Sequence, residues 1–211
     1  MLISFDEINF FLTKHNLHFK GVLHVGAHEC EELTFYNRLG IANEDVIWID
    51  AIPQKVEQCK ERGILNVHNA IVTDKDDEDI SFNISNNGQS SSVLEFGTHA
   101  QEHPYVVYIG KIEGKSVTID TFFQRNNLDS SKCNFWNFDI QGAELMALKG
   151  ATQSIQYVDA LYLEVNQNEL YKGCALIGEI DAFLSTYKFT RVLTNFTQHG
   201  WGDALYVKLQ Q

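Results

Sequence analysis

Three carboxylates stand at the ends of apolar runs that read as strands: Asp50 after Val46 to Ile49, Asp139 in the aromatic-rich run Asn134 to Ile140, and Glu164 in Ala160 to Val165. Parallel sheets present ligands at the carboxyl ends of their strands, so these three acids are expected on one rim. Upstream of Asp50 lies a tight turn, Gly26-Ala27-His28-Glu29-Cys30. A strand that turns on a glycine into a helix, followed about twenty residues later by an acid closing the next strand, is the layout of a nucleotide-type cofactor site. The acid would hold ribose hydroxyls. A pyrophosphate needs the three glycines of G-x-G-x-x-G. Here one glycine is followed by His28 and by Glu29, Glu31 and Glu32, which repel phosphate and suit a ligand carrying positive charge. S-adenosylmethionine, with a sulfonium, an ammonium and no phosphate, is such a ligand.

The elements that must position these groups can be read from periodicity. Val22, Leu23 and Val25, bounded by Gly21 and Gly26, suit a strand buried on both faces. Glu29 to Leu39 carries Leu33, Tyr36 and Leu39 at helical spacing, with Gly40 past its end. Asn134 to Ile140 followed by Gln141-Gly142 and the helical stripe Leu145, Leu148, Ala151 is a second strand, acid, glycine and helix unit. Elsewhere, Ser4 and Glu7 have capping-box spacing, which predicts a first helix over Phe5 to His15. A helix from Pro53 to Gly63, a third strand over Leu65 to Val72 and a strand over Ile80 to Ile84 follow, with Asp74 to Asp79 as an exposed charged loop. Tyr105 to Ile119 is expected to give two short strands about Glu113-Gly114, and Asp120 to open a short helix. After a helix over Ile177 to Tyr187, Phe189 to Phe196 and Ala204 to Leu209 are too close in sequence for a helical crossover and must pair antiparallel.

With 211 residues, 44% of them hydrophobic, the chain is expected to close one sizeable core as a single domain. A formal net charge of −12 without any basic run argues against duplex nucleic acid or an anionic membrane as partner. The four cysteines are scattered, which fits reduced thiols better than disulfides or a zinc site, and no targeting or membrane-spanning segment is read, so a soluble, cytoplasmic protein is expected. Asn86 to Pro104, with Ser90, Ser91 and Ser92 in a row, is a long polar loop of the kind that forms lids or binding loops.

Several of these segments, in order, resemble the FkbM-type S-adenosylmethionine methyltransferases: Leu23-His24-Val25-Gly26-Ala27-His28 with Glu31, Glu32 and Tyr36; Trp48-Ile49-Asp50-Ala51-Ile52-Pro53; and Gln89 to Leu94 with His99. Val117 to Asp120, the Asp139-Ile140-Gln141-Gly142-Ala143-Glu144-Leu145 motif with Lys149-Gly150-Ala151, and Leu163 to Asn166 also match, so the resemblance runs from about residue 21 to the end. It implies a class I methyltransferase (Rossmann-like) α/β fold, a doubly wound sheet that is mostly parallel with an antiparallel C-terminal strand. It also implies S-adenosylmethionine as cofactor, held by His24, Gly26, Ala27, His28, Asp50, Ala51, Asn69, Ala70, Ser91 and Asp139, with Asp139, His99 and Glu164 as the catalytic set. Cys30 stands where the family often has glycine, and its side chain is expected to narrow the approach to the cofactor.

Methyl transfer is a direct displacement, so the protein must align the acceptor oxygen, exclude water and receive a hydroxyl proton. Asp139 and Glu164 are candidates to orient the ammonium or the acceptor hydroxyl, and His28 or His99 to act as base, since an unperturbed histidine titrates near neutrality. The expected activity is O-methylation of a sugar, glycan or other small metabolite. A binding module without catalysis is the alternative from another class, and a nicotinamide oxidoreductase is disfavoured by the missing glycines. His99 to His103 also spells H-x-x-E-H, the inverted zinc-protease motif. Gly97 and Pro104 leave little room for the helix that motif needs, and His24 and His28 flank a turn glycine, so no metal site is expected.

Overall fold

The computed structural model describes residues 1–208. Its elements run α1 (Phe5–Lys14), β1 (Val22–Val25), α2 (Leu33–Arg38), β2 (Val46–Asp50), α3 (Pro53–Glu61), β3 (Val67–Asn69), β4 (Ile71–Val72), β5 (Asp79–Ser85), α4 (His99–Glu102), β6 (Tyr108–Val117), α5 (Ile119–Arg125), β7 (Phe135–Phe138), α6 (Glu144–Lys149), β8 (Ala160–Asn166), α7 (Ile177–Thr186), β9 (Phe189–Phe196) and β10 (Trp201–Lys208). A seven-stranded sheet has the order β3-β2-β1-β7-β8-β10-β9, and β4-β6-β5 make a smaller one. In the large sheet β10 runs antiparallel to both β8 and β9, while the pairs among β3, β2, β1, β7 and β8 are parallel.

Side chains alternate across this sheet with the period of a strand. Val22, Val46, Trp48, Phe135 and Tyr162 join Ile8, Leu12, Tyr36 and Val56 from α1, α2 and α3 on one face. Leu23, Val25, Ile49, Trp136 and Leu163 join Phe122, Leu148, Ile180 and Leu184 from α5, α6 and α7 on the other. Both faces are therefore covered, as the continuous apolar strands require. From β1 the chain proceeds outward to β2 and β3, then returns to place β7 on the other side of β1. The order reverses between β1 and β7, and a crevice opens there. Gly26 ends β1 at φ +90°, and a Cβ on it would lie 1.9 Å from the carbonyl oxygen of Asp139, so only glycine lets the two strand ends come together.

The structure departs from the sequence reading in several places. Helix α2 begins at Leu33 rather than Glu29, because His28 and Cys30 take left-handed conformations (φ 42° and 55°) that interrupt any helix there. The run from Leu65 to Val72 divides at Ala70 into β3 and β4, which belong to different sheets. Tyr105 to Ile119 holds one long strand rather than two: Glu113 and Gly114 pair across from Ser81 and Ile80 without a turn, and the glycine accommodates Ile71 of β4. Asp74 to Glu78 form a largely exposed loop and Asp79 already opens β5, but Asp76 accepts hydrogen bonds from Thr118 and Thr121 and so anchors the start of α5. The capping box of α1 is present, and the final strand pair is antiparallel as expected, with Leu209 outside the described residues. No helix among the described residues is long and apolar enough to cross a membrane.

Candidate active site

Two cavities open at the crevice. The smaller is walled by Ile49, Ile52, Ala70, Ile71, Val72, Phe82, Val93 and Ile140, with Asp50, Ala51 and Ser91 on its lining. The larger, about 370 Å³, is lined by His24, His28, Glu31, Glu32, His99, His103, Asp139, Gln141, Glu164 and Asp203, among others. Gly26, His28, Gln89 and Asp139 line both, so an apolar slot and an acidic cleft form one continuous site.

Asp50 sits at the junction of strand and turn. Its Oδ2 accepts the His28 N–H and its Oδ1 the Ile52 N–H, each at 2.7 Å. Burial raises its pKa, and the two backbone donors work against that rise. The left-handed backbone at His28 aims that N–H at the carboxylate, and the ring's Nδ1 lies 3.0 Å from Glu31. The other ring nitrogen, Nε2, is buried without a partner beside Gly88, an unsatisfied polar atom on the wall of the site.

The rim beyond β7 and β8 gathers buried carboxyls. The Gln141 side-chain amide, on a residue with φ 57°, donates to Asp139 Oδ1 at 2.6 Å and to Glu164 Oε2 at 2.7 Å, while its oxygen accepts the Tyr171 hydroxyl at 2.5 Å. Burial, then the charges of Asp139 and Glu144, push the Glu164 carboxyl well above the usual range. Glu144, also buried, is pushed up to about 7 by desolvation even though its Oε1 accepts the Ile140 and Gly142 N–H groups. Asp203, raised by burial, accepts from the Tyr162 hydroxyl and the Leu2 N–H. Burial disfavours the charged form of Glu164 and Asp203, and a cation entering the cleft would relieve that cost.

His99, at the start of α4, is 5% exposed and stacked on Phe96 with centroids 4.3 Å apart. Burial and the neighbouring His103 lower its pKa to about 4, so at neutral pH it is a neutral imidazole, not the near-neutral titrating group expected. Its Nδ1 is buried with no partner. His24 packs on Trp48 with Nδ1 2.8 Å from the Tyr36 hydroxyl, which also accepts from Asn137; burial keeps this imidazole neutral.

Of the residues singled out from sequence, His24, Gly26, His28, Asp50, Ala51, Ala70, Ser91, His99, Asp139 and Glu164 all line one cavity or the other. Ala27 and Asn69 line neither: Ala27 is buried with its N–H on the Ile49 carbonyl, and the Asn69 amide donates to the Asp50 carbonyl. Ser91 reaches the slot, but its hydroxyl donates to the Gly88 carbonyl and accepts from the Ser85 N–H. All three serines are thus buried: Ser90 accepts from Asn87 within the loop, Ser91 also ties to Ser85 of β5, and Ser92 donates to the Gln141 carbonyl. Glu29 turns away to pair with Lys55, leaving Glu31 and Glu32 to face the cleft. Cys30 is 3% exposed, packed with Val56 and Cys59 beneath the turn, and lines neither cavity, so it does not narrow the approach. Sequence patterns do not single out Gln141, Tyr171 or Asp203 by themselves: Gln141 lies inside the Asp139 to Leu145 motif, whereas Tyr171 and Asp203 carry no local signal.

Residues 24–191 match the family model described as "Methyltransferase FkbM domain". The chain belongs to this family of methyltransferases, whose methyl donor is S-adenosylmethionine. No curated protein matches it. Among solved structures it is similar to a Streptococcus pneumoniae protein described as a candidate tRNA (m1A22) methyltransferase, at 11% identity and TM-score 0.50, covering 100% of this chain and 72% of that one. It is also similar to an S-adenosylmethionine-dependent methyltransferase from Aquifex aeolicus (14% identity, TM-score 0.47, 99% and 91% covered) and to an O-methyltransferase from Bacillus cereus (10% identity, TM-score 0.46, 99% and 82% covered). The mostly parallel sheet with its antiparallel β10 is the class I methyltransferase fold.

Proposed function

We propose that this chain methylates a hydroxyl of a sugar, glycan or other small metabolite, using the apolar slot and Asp50 for the nucleoside of the donor and the acidic cleft for its amino-acid end and the acceptor. The observation that carries this reading is the continuity of the two cavities across Gly26, His28, Gln89 and Asp139. When bound, the donor supplies a methyl group on a sulfonium. An aromatic base suits the slot of Ile52, Ala70, Ile71 and Phe82, and the free lone pairs of the Asp50 carboxylate suit a ribose diol. The cluster of Asp139 and Glu164, braced by Gln141, suits an ammonium. His99, a neutral imidazole on the cleft wall whose stacking on Phe96 fixes the ring, suits orienting the acceptor hydroxyl, while its pKa of about 4 makes it a weak base at neutral pH. The net charge of −12 and the acidic cleft support a small neutral acceptor over a nucleic acid.

Calorimetric titration with S-adenosylmethionine, S-adenosylhomocysteine and NAD tests the donor assignment: the first two are expected to bind and NAD not to. Incubation with labelled donor and a panel of sugars and glycans, followed by mass spectrometry, tests the acceptor. Label on an amine or carboxylate acceptor and on none of the hydroxyls would overturn the O-methylation reading.

A further inference from the structure

We propose that Glu102, His103 and His199 form a binding site for one divalent transition-metal ion of the zinc type, at the edge of the acidic cleft. One ligand atom from each of these three side chains lies within 4.8 Å of the others, so small side-chain rotations bring all three to the roughly 2 Å bonds of one ion. The residues come from separate parts of the chain: Glu102 and His103 end the single turn of α4, and His199 sits in the loop between β9 and β10. An ion-pair contact links Glu102 to His199, and among the described residues no side-chain hydrogen bond links His103 to either of them. Glu102 Oε2 lies 3.2 Å from His199 Nδ1, yet it is buried and has no partner in hydrogen-bonding geometry. The imidazoles of His103 and His199 are 5.0 Å apart between centroids and inclined at 58°, so they do not stack face to face.

The donor set selects the ion. Two imidazoles and one carboxylate suit zinc, cobalt or nickel, whereas magnesium and calcium favour sites built of oxygen. Three protein ligands leave a further position for water or an acceptor oxygen, and His103 lines the cleft. An outer partner is also in place: the Gln198 side-chain amide lies 3.2 Å from His199 Nε2. Turned about its last bond, that amide presents its oxygen to Nε2–H and leaves the lone pair of Nδ1 facing Glu102. The H-x-x-E-H spelling of His99 to His103 thus contributes only its last two residues. His99 is stacked on Phe96, and the remaining ligand comes from a loop far along the chain.

The full chain, stripped with a chelator, is titrated with zinc by calorimetry and with cobalt by visible absorption. The expected result is one ion per chain. Affinity should fall by more than the roughly 10- to 100-fold typical of losing an outer partner in both Glu102→Gln and His199→Asn, with unchanged circular dichroism. His18→Asn, at an exposed histidine outside the site, should bind as the parent does. X-ray absorption on the zinc-loaded parent gives a reading independent of any variant's folding, and two imidazoles with oxygen are expected. Absence of stoichiometric binding, equal affinity in the parent and both ligand variants, or sulfur in the coordination shell would each overturn the proposal.

Discussion

Replacing Asp50 separates the task the structure shows for it, holding the turn, from the one proposed for it, holding the cofactor ribose. In the structure its carboxylate accepts backbone N–H groups from His28 and Ile52, each at 2.7 Å. Asp50→Ala leaves both donors without a partner in a site only 9% exposed. At about 1–3 kcal/mol for each orphaned donor, the loss is on the order of 2–6 kcal/mol, a large share of a typical domain's stability. Asp50→Asn keeps one acceptor oxygen and should retain roughly half of that stabilisation. On the cofactor side, two ribose hydroxyls bonded to a charged acceptor contribute about 1.5–3 kcal/mol each, so removing both predicts a rise in Kd on the order of 10²- to 10⁴-fold. Thermal unfolding followed by circular dichroism measures the first effect. Calorimetric titration of the folded variants with S-adenosylhomocysteine measures the second. Unchanged affinity in a folded Asp50→Asn protein would refute the ribose assignment, while lower stability with intact binding would show that the carboxylate serves the turn alone.

Gly26→Ala should abolish cofactor binding and lower the melting temperature sharply, because the added Cβ would lie 1.9 Å from the Asp139 carbonyl oxygen at a φ of +90°; a variant that melts and binds like the parent would contradict the close approach of β1 and β7. Cys30→Gly is expected to leave cofactor affinity unchanged, since Cys30 lines neither cavity, and relief of its left-handed backbone, worth about 1 kcal/mol, should offset much of the lost packing. Titration and melting of the same protein check both parts, and a weakened Kd would show that the thiol shapes the site after all. Glu144 titrates at about 7 in the fold against an ordinary 4.5, so the folded state binds the extra proton and the associated stability is greatest below about pH 4.5 and lost as pH rises to about 7. At ~1.4 kcal/mol per unit the ceiling is about 3 kcal/mol, and Glu144→Gln should flatten the fall in cofactor-free stability across that window; an identical pH profile would rule out the buried proton.

The sheet and much of the site were legible in the sequence because they rest on local rules. Continuous apolar runs along β1, β2, β7 and β8, the turn glycine after β1, and an acid near the ends of β2, β7 and β8 are short-range patterns, and parallel pairing brings Asp50, Asp139 and Glu164 to one rim. What those patterns could not show was decided by contacts between distant segments. The left-handed backbone at His28 and Cys30 starts α2 late and buries Cys30 against α3, and Asp50, from the next strand, accepts the His28 N–H. The shift of His99 to about 4 comes from burial against Phe96 and from His103, neither of which is visible in a lone histidine. Gln141 becomes a brace only when Asp139, Glu164 and Tyr171 converge on its amide. The sequence by itself therefore determined which strands present carboxylates and to which edge. Tertiary structure alone decided which of those groups keep free lone pairs, which hold protons, and which side chains from remote loops meet them, because desolvation and hydrogen-bond satisfaction depend on everything that packs around a group rather than on its neighbours in the chain.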